Sequence, residues 1–312
     1  MAKERLDKIL TDKGFFETKS KAQAAIMAGD VKVDGVVITK AGFQLQPKED
    51  TIFEIKSMPF VSRGGFKLDK AIKAFNIDLT DKICLDAGAS TGGFTDCMLQ
   101  NGAKKVYSVD VGYGQIAWKL RTDERVKVVE KVNVKSCTVE EVYAPEEEKA
   151  EFITMDLSFI SITKVLENVL KLTREKNFEI VSLIKPQFEA GKEQVGKNGV
   201  VREKEIHIEV INNVIEFCKL HNLYVKDLTF SPIKGPAGNI EYLVYLTDIP
   251  TENEIDIEYV YQPSGDGTVY CLRRDRCYRS SCIPSETGRS YRLPRLQGNG
   301  KRSALHGSCK DA

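Results

Sequence analysis

The chain has 312 residues, 42% of them apolar and 29% charged, a composition that fits a folded globular protein and excludes a disordered or collagen-like one. Basic and acidic side chains nearly cancel at a net charge of +1, so a nucleic-acid partner would have to be met by a local patch. No stretch approaches the ~18 consecutive apolar residues of a membrane span, and the opening Met1-Ala-Lys-Glu-Arg-Leu-Asp lacks the apolar core of a secretory signal. A cytoplasmic protein is the expectation.

Leu6, Ile9 and Leu10 recur at helical spacing before Gly14, which can stop a helix. Ser20 then stands as an N-cap for a second helix that runs to Gly29. Val31-Lys-Val and Val36-Val-Ile flank Asp34-Gly35, a hairpin signal, and Thr51-Ile-Phe-Glu-Ile reads as a third strand. These elements make a small α+β unit over 1–57, with Ser57-Met-Pro59 opening a linker over 58–66.

From Lys67 the pattern becomes α/β. Short apolar runs at 83–86, 106–110, 126–129, 152–156 and 180–185 alternate with helical stretches, notably 161–173 and 202–220. That order implies a mostly parallel sheet covered on both faces, filling residues 67–250. The runs at 224–230 and 241–246 would add antiparallel edge pairing. Cys84, Cys97, Cys137 and Cys218 are widely spaced and read as reduced, buried thiols, and no metal site is expected.

Asp86-Ala-Gly88-Ala-Ser90-Thr-Gly92-Gly93 follows the first strand of this sheet and opens a helix, so its backbone can turn tightly and approach a ligand. Asp110 ends the next strand, where a carboxylate can accept from both ribose hydroxyls of a nucleoside. Gly-x-Gly-x-x-Gly is absent, which disfavours NAD; the pattern looks like an S-adenosylmethionine site, with Asp86, Gly88, Ser90, Gly92, Asp110 and Asp156 around the cofactor. Asp156 and Lys185 end parallel strands and should meet at the carboxyl edge of the sheet.

Arg5-Leu6-Asp7, Ser20-Lys21-x-x-Ala24 and Gly29-x-Val31-x-Val33-x-Gly35 resemble an S4-type RNA-binding domain, in which Arg5, Lys13, Lys19, Lys21 and Lys32 would contact phosphates. Ser62-Arg-Gly-Gly-Phe-Lys67, Asp156-Leu-Ser-Phe, Lys185-Pro-Gln-Phe-Glu189 and Gly238-Asn-Ile-Glu241-Tyr follow in order. Together these motifs resemble the TlyA family over residues 1 to about 262. The resemblance implies a Rossmann-like class I methyltransferase sheet behind a small N-terminal S4 domain. It also implies S-adenosyl-L-methionine as cofactor, ribosomal RNA or ribosomal subunits as partner, and a catalytic tetrad of Lys67, Asp156, Lys185 and Glu241 for ribose 2′-O-methylation, with cytidine as the target. Amine methylation is disfavoured because the fourth strand is not followed by Asn/Asp-Pro-Pro-Tyr/Phe, and base C5 methylation because no cysteine lies in a nucleophile motif. The competing readings are an RNA-binding protein with a non-catalytic methyltransferase fold and a haemolysin, a label this family often carries.

The composition breaks near the end. Residues 263–312 hold eight Arg and two Lys against four acidic residues, whereas the first 262 use 30 Lys and only six Arg. Apolar periodicity also stops, so the extension 251–312 is expected to be disordered or non-native from about 263. A shifted reading frame or misjoined gene end would produce such a change. An arginine-rich RNA arm and a cysteine-rich module are the alternatives.

Overall fold

The computed structural model describes residues 3–260 apart from 17, 49–50, 56–57, 252 and 254, together with the backbone of 272–273 and 276–277. Apart from that short backbone pairing, the expectations for the segment from Pro263 onward, cysteines included, lie outside the described residues.

Near the N-terminus, α1 (Leu6–Asp12) and α2 (Lys19–Met27) pack on a three-stranded antiparallel sheet of β1 (Val31–Val33), β2 (Val36–Val37) and β3 (Phe53–Ile55), with β1 in the middle. Leu6, Leu10, Ala22, Ile26, Val31 and Val33 form its core. Asp34 (φ 50°) and Gly35 (φ 77°) both turn through the left-handed region, as a two-residue hairpin requires. The cap of α2 differs from expectation. Lys19 is already helical, so the extended residue before it, Thr18, supplies the side-chain oxygen that accepts from the Lys21 N–H, and Ser20 sits inside the helix.

The larger unit is a seven-stranded sheet. Its strands are β4 (Ile83–Ala87), β5 (Lys105–Asp110), β6 (Val126–Glu130), β7 (Phe152–Met155), β8 (Glu179–Ile184), β9 (Tyr224–Phe230) and β10 (Tyr242–Thr247). Their order across the sheet is β9-β10-β8-β7-β4-β5-β6. The five strands from β8 to β6 run parallel, and β10 pairs antiparallel with both β8 and β9. β10 thus lies inside the sheet, which is why all six of its residues are buried.

Two helical layers cover the faces. On one side α3 (Gly64–Phe75) lays Leu68, Ala71, Ile72 and Phe75 against the sheet beside Phe94, Cys97 and Met98 of α4 (Gly93–Gln100), and Phe60 already packs in this core. The spacing of the four α3 side chains is the apolar stripe of an amphipathic helix, and Asn76 ends it in the left-handed conformation at φ 54°. On the other side lie α5 (Leu166–Lys171) and a long helix, α7 (Lys204–Leu220), burying Val210, Ile211, Val214 and Cys218. The stretch expected to be one helix over 161–173 is instead a 3-10 turn, Ile162–Lys164, followed by α5. The short α6 (Pro186–Glu189) begins directly after β8. Cys84, Cys97, Cys137 and Cys218 are buried free thiols.

Candidate active site

Asp156 follows the last residue of β7, Lys185 follows the last of β8, and Glu241 precedes the first of β10. Because β10 is antiparallel to β8, with Tyr242 opposite Ile184, its beginning falls beside the end of β8. All three residues therefore leave the sheet at one edge. Lys67 joins them from the first turns of α3. That helix reaches the edge because glycines line its contact with α4: a Cβ on Gly93 would stand 2.3 Å from Ser62 Oγ and 2.9 Å from the Gly65 nitrogen.

The four side chains form a line of alternating charge. Glu241 Oε2 is 2.7 Å from Lys67 Nζ, Lys67 Nζ is 3.2 Å from Asp156 Oδ2, and Asp156 Oδ1 is 2.7 Å from Lys185 Nζ. Lys67, Lys185 and Glu241 are only 8%, 6% and 2% exposed. Ions this deep cost several kcal/mol each unless they are compensated, and here two ammonium groups meet two carboxylates. Burial presses the Lys67 pKa down, but Asp156 and Glu241 outweigh it and leave the pKa raised. Burial pushes Asp156 up, and Lys185 and Lys67 together bring it below its ordinary value. Lys67 is thus a fixed cation and Asp156 a fixed anion. Lys185 touches one of these carboxylates only; it also donates to Ser158 Oγ at 3.1 Å and lies 5.9 Å from the centre of the Phe188 ring.

Several neighbours were not singled out from the sequence. Phe159 is 90% exposed at φ 64°, its ring 5.2 Å from that of Phe188. The residues on either side of Glu241, Asn239 and Tyr242, are held by hydrogen bonds. Asn239 accepts from the Val201 N–H at 3.0 Å and donates to Gly199 O at 2.8 Å, while the Tyr242 hydroxyl meets His207 Nδ1 at 2.9 Å and His207 Nε2 meets Val201 O at 3.1 Å. The Gly-Asn-x-Glu-Tyr spelling was a signal for this clamp, but Val201 and His207 are distant in sequence.

The glycine-rich turn crosses the same edge. Gly88 adopts φ 87°, and a Cβ there would lie 3.0 Å from Leu157 Cδ2 and 3.2 Å from Asp156 O, so glycine lets the turn touch the Asp156 loop. Gly92 caps α4 at φ 92°. Asp86 has no exposed surface, and its oxygens accept from Thr95 N at 2.9 Å, Thr95 Oγ1 at 2.8 Å and Thr154 Oγ1 at 3.1 Å. Burial pushes its pKa up to about 6, against the pull of those hydroxyls. Asp86 ties the turn to the sheet and presents no oxygen to a ligand. Asp110 accepts from Ser90 N at 2.7 Å and Gly112 N at 2.6 Å, one bond on each oxygen, which leaves a lone pair on each for a further donor. Ser90 and Thr91 are exposed above it. An open backbone turn beside a half-buried carboxylate fits the adenosyl group of S-adenosylmethionine.

The S4-like unit presents Lys13, Lys19, Lys21 and Lys32 to solvent. Lys32 faces Glu54 at 3.5 Å. Arg5 is less available than expected, because its guanidinium forks onto Asp7 at 3.1 and 2.6 Å, holding that buried carboxylate down at about 2.

Comparison with known proteins agrees with this geometry. A family model described as FtsJ-like methyltransferase matches residues 60–247, and one described as S4 domain matches residues 4–52. YqxC of Bacillus subtilis (strain 168), named as a candidate rRNA methyltransferase, is 47% identical over 78% of this chain and 85% of its own length. The Mycobacterium tuberculosis (strain ATCC 25618 / H37Rv) protein named 16S/23S rRNA (cytidine-2′-O)-methyltransferase TlyA is 37% identical over 78% of this chain and 89% of its own. A solved structure from Streptococcus thermophilus, named as a candidate hemolysin, superposes with a TM-score of 0.64 at 43% identity, covering 83% of this chain and 94% of that one. Fold and site define a methyltransferase of the FtsJ-like class with an S4 domain ahead of it. The chain belongs to the TlyA family.

Proposed function

We propose that this protein transfers a methyl group from S-adenosylmethionine to the ribose 2′-hydroxyl of a cytidine in ribosomal RNA, working in the cytoplasm on ribosomal subunits or their RNA. The observation that carries the reading is the buried Glu241–Lys67–Asp156–Lys185 line at the sheet edge, beside the Gly88–Gly93 turn. The family supplies the reaction class, and the name of the M. tuberculosis relative supplies the target base and polymer.

S-adenosylmethionine, held by the 88–93 turn and Asp110, supplies a methyl group already made electrophilic by its sulfonium. The chain's task is to align the hydroxyl and take its proton. Lys185 is the base. It takes the proton on the lone pair of its amine nitrogen. Lys67, kept charged by two carboxylates and touching the other oxygen of Asp156, repels a second ammonium. When O2′ gains the methyl group, its proton passes to the Lys185 amine, and Asp156 stabilises the resulting ammonium. The exposed Phe159 ring, braced by Phe188, offers a stacking face to a base swung out of its helix. Exposed lysines of the S4 unit contact phosphates elsewhere on the RNA.

A pore-forming reading has a relative's name behind it; among the described residues no helix is long and apolar enough to cross a membrane. The test is to incubate the protein and labelled S-adenosylmethionine with ribosomal subunits from a strain lacking the enzyme, then digest the RNA to nucleosides. Label in 2′-O-methylcytidine is expected. Label on a base, or none on RNA, would sink the proposal.

A further inference from the structure

Trp118 is the sole tryptophan of the sequence, yet its side chain lies in water at 74% exposure. Two other large side chains on the loop that leads into its short helix, Val111 and Tyr113, are 69% and 72% exposed. Such rings normally turn inward, and a mobile loop could fold back to cover them. This loop is pinned. Ile116 and Leu120, on either side of Trp118, are buried at 7% and 2% and pack over Gly92. The Ala117 N–H donates to Thr91 O at 3.1 Å, Gly114 N donates to Glu130 at 2.8 Å, and Arg121 meets the same carboxylate at 2.6 Å. The fold therefore holds Trp118 outward.

The surroundings describe what would cover it. Lys119, the next residue, is 57% exposed and pairs with Asp96 at 3.0 Å, and Asp96 also accepts from the Val61 N–H on the segment that arrives from the S4 unit. Lys131 lies 4.5 Å from the centre of the Tyr113 ring. Exposed rigid aromatics interleaved with ammonium groups match unpaired nucleic acid, whose bases stack on the rings while its phosphates meet the cations. The position is continuous with the cofactor turn through Thr91 and with the inter-domain segment through Asp96.

We infer that Trp118, with Tyr113 beside it in sequence, is a stacking platform for an unpaired base of the substrate RNA, away from the nucleotide that receives the methyl group. The inference rests on the RNA methyltransferase reading above, and its test separates the two. Because the chain has one tryptophan, fluorescence excited at the red edge, where tyrosine does not absorb, reports on this residue alone. The full-length protein is titrated with protein-free ribosomal RNA from a strain lacking the enzyme, and separately with S-adenosylmethionine. Binding is followed in parallel by filter retention at several salt concentrations.

RNA should quench the fluorescence in step with retention, and the cofactor alone should leave it unchanged. Trp118→Ala should weaken RNA binding roughly 5- to 150-fold, the range for loss of one base stack. Its salt slope should stay that of wild type, since no phosphate contact is lost, and its cofactor affinity should not move. Trp118→Phe should recover most of the binding. Fluorescence that is unaltered while RNA is retained would overturn the platform and leave the enzyme reading standing. Quenching by cofactor alone would reassign the ring to the adenosyl site, and a concentration-dependent shift without RNA would reassign it to self-association; each overturns the inference. RNA that is neither retained nor methylated would remove both.

Discussion

The two units of this chain use charge in opposite ways. In the S4 unit the lysines stand in water: Lys32 and Glu54 are 48% and 51% exposed at 3.5 Å. Exposed pairs of this kind contribute ~0–1 kcal/mol, so a phosphate can take over a lysine at little cost. In the methyltransferase unit Lys67 and Glu241 meet at 2.7 Å with side chains 10% and 2% exposed. There the desolvation cost is large and each charge depends on the next. Loosely held cations suit a surface that must grip and release a polyanion. A buried, mutually dependent set suits a proton that must move between fixed positions.

The largest effect should come from Lys185→Ala. Removing the base should slow methyl transfer ~10²–10⁴-fold in a single-turnover assay, with RNA and cofactor affinity close to wild type. Glu241→Ala should act on stability as well as rate. It leaves the buried Lys67 ammonium with Asp156 as its remaining carboxylate partner, and a loss of ~3–5 kcal/mol is expected in urea unfolding of the larger unit. If that variant is as stable as wild type, the buried line is not the interdependent set described above.

Smaller effects are expected in the S4 unit. The Arg5 fork lowers the Asp7 pKa against the opposing effect of burial, from 3.8 to about 2. Its stabilisation is therefore complete above pH 3.8 and disappears as pH falls through 2. Asp7→Asn should cost about 1 kcal/mol at pH 7, since Arg5 is partly in water and the pair is screened. The difference from wild type should vanish near pH 2, which pH-dependent unfolding by far-UV circular dichroism would follow. Thr18→Ala should cost about 1 kcal/mol through the lost cap. Ser20→Ala, inside the helix, should stay within ~0.5 kcal/mol. Equal losses at both positions would contradict the capping geometry.

Much of this contrast could be read from residues alone, because strand-end positions in a parallel sheet converge whatever the details. Asp156 and Lys185 needed only the run of apolar strands before them. The last two runs add antiparallel pairing at one side of the sheet as expected. Strand order is not written in the chain, however, and the position of β10 between β8 and β9 could not be read from it. That placement is what brings Glu241 to Lys67. Ser20 and Thr18 are both competent caps, and the choice depends on where the helix begins. Asp110 was legible as an acceptor, while the backbone N–H groups of Ser90 and Gly112 that hold it are invisible in any spelling. Phe159 stood in the sequence only as the end of the Asp156-Leu-Ser-Phe motif, and its left-handed backbone and exposed ring appear only in the fold.

The central claim is that Lys185 accepts the hydroxyl proton and does not act merely as a fixed positive charge. Lys185→Arg tests it directly, because a guanidinium keeps the charge but cannot lose a proton near neutral pH. With RNA and S-adenosylmethionine both saturating, single-turnover formation of 2′-O-methylcytidine should fall by at least about 10²-fold, as for the alanine variant. A Lys185→Arg enzyme that methylates within a few-fold of wild type would contradict the account.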